Sequence, residues 1–325
     1  EARRLVSVVQ RTSRLPAHAP PPMRRGSFAR VVERGEVPEL RRRDEVRSAL
    51  DPFVKLTFES PLGGTFETVR IPLERPGRMT VCVSSQVGCA LRCAFCATGR
   101  LGLRRNLTPW EIVEQVRVVR SGLPAGSRVH GVVFQGMGEP LANLASVLQA
   151  IRVFTEPSAL AIDARNVTVS TSGLPAGIRT LAAEAPRVRL ALSIGSALPG
   201  DRRTLMPIDD AHPLAEVLAA ARDHVHATGL APLFAYTLLR GRNDGDEHAR
   251  ALAELVLGFA AGSGRRPRLS LIPYNSIGPG DPFERTGPEE EARFVAALEG
   301  AGVPSHRRYS GGSDVGAACG QLASR

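Results

Sequence analysis

From about residue 76 the chain alternates six times between a short run of β-branched and aliphatic residues and a longer stretch with apolar residues at helical spacing. Strands are predicted near 79–84, 129–134, 166–171, 188–194, 231–239 and 268–273, and helices near 109–121, 143–154, 175–184, 213–227, 246–261 and 288–300. Six strands each followed by a helix predict an α/β fold with a parallel, curved sheet, because each helical crossover returns the chain to the sheet with the same hand. A barrel of βα units can exceed about 200 residues around one core. The 325 residues and 43% apolar content are sufficient for such a core.

Local signals sharpen the boundaries. Thr108-Pro-Trp-Glu111 has the pattern of a capping box with proline at the first helical position, followed by Ile112, Val113, Val116 and Val119. Thr286-Gly-Pro-Glu289 repeats the pattern ahead of Phe294, Val295 and Leu298. Upstream, Val54–Phe58 and Thr65–Ile71 alternate around Pro61-Leu-Gly-Gly and predict a hairpin with Glu67 in its second strand. Residues 31–58 have irregularly spaced apolar positions and are expected to hold one or two short helices. Residues 1–30, with a Pro-Pro-Pro run and no periodicity, are expected to be poorly ordered. The expected organisation is a disordered segment over 1–30, a helical segment and hairpin over 31–75, and a barrel domain over 76–325.

The segment after the first predicted strand carries the chemistry. Cys89, Cys93 and Cys96 have C-x3-C-x2-C spacing between Gly88 and Gly99. Three thiolates on one short loop can hold three irons of a cubane cluster and leave the fourth without a protein ligand. A zinc site is the alternative. It would need a fourth donor, and Cys82 lies outside the usual knuckle spacing. Inert buried thiols fit poorly, because the surroundings read as loop. The five cysteines do not look like a secreted disulfide framework and suit a reducing cytosol. No apolar run approaches the length of a membrane span and no signal-peptide pattern opens the chain, so a cytoplasmic protein without membrane contact is expected.

In βα barrels the active site lies at the carboxyl ends of the strands. Gly136-Met-Gly-Glu-Pro140 ends the second predicted strand, where glycines allow close approach of backbone to a ligand and Glu139 can accept hydrogen bonds. Ser170, Ser193 and Asn275 also stand at strand ends, where each alone reads more readily as a cap than as a ligand contact. The net charge of +10 arises from 41 arginines and a single lysine, Lys55, against 32 acids. About +6 of it lies in the first 50 residues, the footprint expected of a protein that meets phosphate backbones. Coding bias toward arginine would give the same composition.

Gln86-Val-Gly-Cys-Ala-Leu-Arg-Cys-Ala-Phe-Cys-Ala-Thr-Gly, Gly136-Met-Gly-Glu-Pro140 and Ala317-Ala-Cys-Gly-Gln321 together resemble the RlmN/Cfr family of radical S-adenosylmethionine (SAM) adenosine methyltransferases, over roughly residues 64–322. The resemblance implies a partial (β/α)6 radical SAM barrel, a [4Fe-4S] cluster on Cys89, Cys93 and Cys96, and SAM contacts from Gly138, Glu139, Ser170, Ser193, Ile194, Gly195 and Asn275. Gly195 stands where the family usually has histidine. The N-terminal extension, where the family has a helical accessory domain, is short and divergent.

The resemblance further implies that Cys319 carries a methyl group, that Cys82 resolves a covalent intermediate, and that Glu67 serves as base. Adenine C2 and C8 are poor nucleophiles toward the SAM methyl, which is why a radical route is needed. The implied partners are RNA, with rRNA first and tRNA second, and an external reductant such as a flavodoxin or ferredoxin system, acting on a monomer. A transient disulfide between Cys82 and Cys319 would need reduction after each turnover. Two alternatives stay open: a radical SAM enzyme with a non-RNA substrate, and a non-catalytic iron-sulfur protein that binds RNA or senses redox state.

Overall fold

A computed structural model describes residues 1–12 and 14–323. The chain begins with helices α1 (Ala2–Thr12) and α2 (Arg25–Arg34), then strands β1 (Arg41–Arg47), β2 (Val54–Glu59), β3 (Thr65–Pro72) and β4 (Arg78–Val83). A small ribbon follows, made of β5 (Gln86–Gly88) and β6 (Leu103–Asn106), with the one-turn helix α3 (Ala97–Arg100) between its strands. The repeating part continues as α4 (Pro109–Ser121), β7 (Arg128–Phe134), α5 (Leu144–Thr155), β8 (Val167–Thr171), α6 (Pro175–Glu184), β9 (Arg189–Ser193), α7 (Asp201–Leu205) and α8 (Leu214–Thr228). It ends with β10 (Leu233–Leu238), α9 (Asp246–Ser263), β11 (Arg268–Pro273), α10 (Pro288–Gly300) and β12 (Ser305–Arg307).

One ten-stranded sheet runs in the order β1-β2-β3-β4-β7-β8-β9-β10-β11-β12. Every neighbour from β4 onward is parallel, and β1 to β4 form an antiparallel meander on the first barrel strand. The central strands are largely buried, as parallel strands covered on both faces must be: five of the six residues of β11 are buried. In β2, by contrast, buried and half-buried positions alternate. The main core therefore lies within the barrel and under its helices, with Phe134, Phe154, Phe234 and Tyr236 among its fully buried side chains.

The six predicted strands and six predicted helices are all present. The Thr108 box forms as expected: the Glu111 carboxylate accepts from the Thr108 amide at 2.7 Å and from its hydroxyl at 2.8 Å. At the other predicted box α10 is capped by Gly287, and the Thr286 hydroxyl donates to Asp244 at 2.8 Å instead.

The N-terminal region differs most. Where little order was expected, α1 and α2 form and bury Leu5 and Phe28. Where helix was expected, Arg41–Arg47 is a strand. An edge strand tolerates such a charged sequence because its outer side faces solvent. Ser13 and the last two residues of the expected 76–325 unit lie outside the described residues. Among the described residues no helix is long and apolar enough to cross a membrane.

Beyond β12 the chain forms an irregular strap over residues 308–323. It ties the last barrel strand to the turn between β1 and β2: Asp51 accepts from the Gly312 amide at 2.9 Å and from the Tyr309 hydroxyl at 3.0 Å. Asp314 accepts from the Ser48 hydroxyl at 2.7 Å and the Ala49 amide at 2.8 Å. The strap thus joins the two ends of the open sheet and brings its cysteine to the strands' carboxyl ends.

Candidate active site: a cysteine loop and a terminal strap

The cysteine loop leaves the β4–β5 region and is fixed mainly through its backbone. The Cys89 amide donates to Gly102 at 3.0 Å, the Ala94 amide to Leu205 at 2.9 Å and the Ala97 amide to Gly320 at 2.8 Å. Leu205, Met206, Leu239 and Tyr274 form a small apolar cluster on which Cys93 and Phe95 pack. All five cysteines are free thiols. Burial pushes the Cys89 and Cys93 thiols up to about 12, with their proximity to one another and to Cys96 acting in the same direction. Burial raises Cys96 as well.

Three half-buried thiols that feel one another electrostatically are poorly stable as thiolates unless cations sit among them. Among the described residues no three His, Cys, Asp or Glu side chains converge on a single-ion site. Thiols that crowd together without meeting at one point suit a cluster whose irons are separate corners better than one zinc ion.

A cavity of about 130 Å³ opens beside this loop, bounded by Cys93, Cys96 and Cys319 and by the strand-end residues Gly138, Glu139, Ser170 and Ser193. Glu139 is 3% exposed and has no cation within ion-pair distance among the described residues. Its carboxylate accepts from the Leu141 amide at 3.0 Å and the Ser172 amide at 2.9 Å. Burial raises its pKa against these hydrogen bonds. Carboxylate oxygens retain further lone pairs, so a buried acid without a cation partner suits an ammonium or sulfonium ligand. SAM carries both charges.

Gly138 has φ +98°, and a side chain there would strike Gln86. Packing of the second strand's end against β5 therefore demands this glycine, where close approach to a ligand had been the expectation. Gly195, at φ +73°, is packed against Met206. Its carbonyl accepts from Asn243 at 2.7 Å, and Ile194 accepts from buried Arg202 at 3.0 Å. Neither Ile194 nor Gly195 borders the cavity. Asn275 does not border it either: its amide donates to the Ser310 hydroxyl at 2.7 Å and to the Cys319 carbonyl at 3.3 Å, so it holds the strap.

A second cavity, of about 90 Å³, lies under the strap and brings together Cys82, Cys96 and Cys319. Cys319 and Gly320 form part of the wall of both cavities. Burial pushes Cys82 up to about 12; proximity of Cys319 adds to this and Arg308 opposes it. Glu67 lies on the face of β3 shared with Val69 and Ile71, which line this cavity, but one pleat beyond them. It pairs with Lys55 at 3.1 Å and accepts from the Ala323 amide at 2.8 Å. Burial raises its pKa, and Lys55 acts against the rise.

Gly311 and Gly312, which precede Cys319 on the strap, are packed against Phe53 and Ala317. Cys319 already stands in the site.

Several residues of the site escaped the sequence reading. Gln135 and Ser172 follow directly on predicted strands and border the first cavity; the rule that strand carboxyl ends carry the site would have found them. Gln135 also accepts from Arg308 at 2.8 Å. Arg308 and Tyr309 leave a three-residue strand too short to predict. Arg202, 1% exposed, joins Ile194, Ser172 and Asp209 and gave no local signal at all.

Comparisons with known proteins agree with this geometry. The radical SAM superfamily profile matches residues 83–255. A protein of Sorangium cellulosum described as a probable RNA methyltransferase is 60% identical, over 99% of this chain and 87% of its own length. The dual-specificity RNA methyltransferase RlmN of Syntrophobacter fumaroxidans is 44% identical, over 80% of this chain and 73% of its own. A crystal structure of a radical SAM methyltransferase from Sphaerobacter thermophilus superposes with a TM-score of 0.86 at 37% identity, covering 99% of this chain and 92% of that one. A chain with these relatives, this barrel and this cysteine loop belongs to the RlmN-type family of radical SAM methyltransferases, enzymes that use a [4Fe-4S] cluster and SAM.

Proposed function

We propose that the protein methylates an adenine carbon, C2 or C8, in rRNA and in tRNA, with Cys319 as methyl carrier and Cys82 as resolving thiol. One observation carries the reading: Cys319 borders both cavities, the one walled by cluster ligands and Glu139 and the one that holds Cys82. A thiol in that position can receive a methyl group from a ligand on one side and meet a partner thiol on the other.

When bound, the cluster and SAM supply a deoxyadenosyl radical. Cys89, Cys93 and Cys96 would hold the cluster, and Glu139, with Ser170 and Ser193, would hold the SAM amine and ribose. Cys319, methylated by a first SAM, would give a hydrogen atom of its methyl group to the deoxyadenosyl radical, and the resulting carbon radical would add to the adenine ring. The adduct would give up one electron to the oxidised cluster, and Glu67 would take the ring proton. Cys82 would then attack the sulfur of Cys319 and break the sulfur–carbon bond; the freed carbon takes a proton from solvent, so that methyladenine leaves and a disulfide remains. Arg308 assists by favouring the Cys82 thiolate. The Gly138, Ile194, Gly195 and Asn275 contributions are positional, through strand-end packing and the hold on the strap.

The target nucleotide must leave its stack to reach the strap. Tyr309, 68% exposed at the mouth of the smaller cavity and braced edge-on by Phe53, offers a ring face to a base. Arg41, Arg42, Arg43 and Arg47 on the nearby edge strand offer charge to phosphates, part of it already balanced by Glu45 and Glu59.

Removal of the two thiols tests the reading, because their roles differ. Cys82→Ala should accumulate a protein–RNA crosslink that survives denaturation and disappears with ribonuclease, whereas Cys319→Ala should form none. Unshifted bands for both variants, together with retained methylation, would overturn it. Nucleoside mass spectrometry of rRNA and tRNA from cells with and without the gene separates 2-methyl- from 8-methyladenosine.

A further inference from the structure

The site inferred above consumes electrons, yet none of the residues assigned to it would receive an electron donor. The outer side of the cysteine loop has features that none of those roles uses. Residues 75–110 contain six arginines and no acid. Arg92, between two of the cysteines at φ +53°, is exposed, as are Arg100 and Arg104. Among the described residues their one acidic neighbour at ion-pair distance is Asp281, 3.9 Å from Arg100. Between these charges lie Leu101 and Leu103, 43% and 45% exposed. Leu101 borders a shallow hollow of about 430 Å³ whose wall also includes Arg92, Arg100 and the thiol-bearing residue Cys93, and Leu103 and Arg104 follow it directly in the chain.

We propose that this face, formed by Arg92, Arg100, Leu101, Leu103 and Arg104, is the docking site of an acidic one-electron donor protein of the flavodoxin or ferredoxin kind. The proposal rests on the radical SAM reading of the loop. The chemistry requires only that the donor be oxidised by one electron and the cluster reduced by one, with no group transferred. Electron transfer falls steeply with distance, and the wall of the hollow includes the cluster ligand Cys93 and no residue of the strap.

An apolar centre rimmed by charge of one sign is the form of a weak, electrostatically steered protein contact. RNA would gain from the arginines but not from two exposed leucines. The complementary partner must be acidic, because nothing acidic in residues 75–110 could meet a basic one.

Flavodoxin serves as the probe. Its binding to the cluster-loaded full-length protein, titrated without SAM or RNA, should weaken with salt and should weaken about tenfold in Arg104→Glu and Leu103→Ser. Arg104→Lys should restore it, and Arg250→Glu on α9 should leave it unchanged. SAM cleavage driven by reduced flavodoxin should fall in proportion, whereas cleavage driven by dithionite, which needs no docking, should stay at the unsubstituted level. Unchanged flavodoxin binding in both Arg104→Glu and Leu103→Ser would overturn the proposal. So would a raised KM for RNA in these variants with dithionite as reductant, since the face would then be an RNA contact. Absence of dithionite-driven cleavage in the unsubstituted protein would count against the catalytic reading itself, and it is read separately from flavodoxin binding.

Discussion

The cysteine loop and the terminal strap are both irregular, both reach the same cavities, and are held in opposite ways. The loop is anchored by its own backbone to neighbouring backbone, at Gly102, Leu205 and Gly320, and by the apolar cluster around Met206 and Tyr274. The strap hangs mainly from side chains, Asp51, Glu67 and Asn275 from elsewhere in the sequence and its own Gln321, with backbone ties at Leu271 and, through Gly320, to the loop. Backbone anchoring with apolar packing fixes a position, as thiolates around a rigid cluster require. Support by separate polar contacts can be released one at a time, as suits a segment whose cysteine must exchange partners between two cavities. The difference in construction matches a difference in proposed task.

Substitutions ought to break the two regions differently. The largest effect belongs to the loop: Cys89→Ala, Cys93→Ala or Cys96→Ala should remove both the roughly four irons per chain and all SAM cleavage, while leaving the strap in place. Iron analysis after anaerobic purification checks this, and zinc with no iron in the unsubstituted protein would contradict it. Next, Glu67→Gln should leave SAM cleavage intact and lower methyl transfer by about 10²- to 10⁴-fold, the usual range for loss of a general base. Methylation at the unsubstituted rate would reduce Glu67 to a support for Ala323.

A smaller effect is expected from Asp51→Ala, which removes the acceptor of the Gly312 amide and Tyr309 hydroxyl. The hydrogen bond from the Gly312 amide to the Asp51 carboxylate contributes about 1.5–3 kcal/mol. Hydrogen exchange should rise across 308–323 and stay constant across the cysteine loop; equal rises in both would erase the contrast.

The mildest test concerns pH. Glu67 must be ionised to act as base, and burial has raised its pKa, so methyl transfer should decline with acidification at a pH above the ordinary carboxylate range. Lys55 opposes that rise, so Lys55→Met should move the decline to still higher pH. A pH profile identical in the two proteins would exclude Glu67 as the titrating group.

The parts of the fold legible in the sequence were those with strong local patterns. Alternation of apolar runs located the six parallel strands β4 and β7 to β11 and the helix after each, though not the short β12, and Thr108 with Glu111 marked the start of α4. The spacing of Cys89, Cys93 and Cys96 indicated a cluster without any structure. Where local pattern was weak the reading failed: Arg41–Arg47 looks like no strand until β2 is seen beside it, and Thr286 is a helix cap by motif but bonds Asp244 in space.

The sequence by itself determined the barrel and the cluster loop, because hydrophobic period and ligand spacing act over a few residues and need no distant partner. Tertiary structure alone decided what surrounds that loop. Cys319 lies 223 positions from Cys96, and it is the strap's ties, to Asp51, Asn275 and Glu67 among others, that bring it to the same cavities. Arg202 becomes a hub only once strand ends β8 and β9 lie side by side beneath it. Likewise Arg92, Arg100 and Leu101 are ordinary exposed residues in sequence; the fold gathers them at one hollow beside the half-buried Cys93. Contacts of that kind depend on where the chain returns, which no local period encodes.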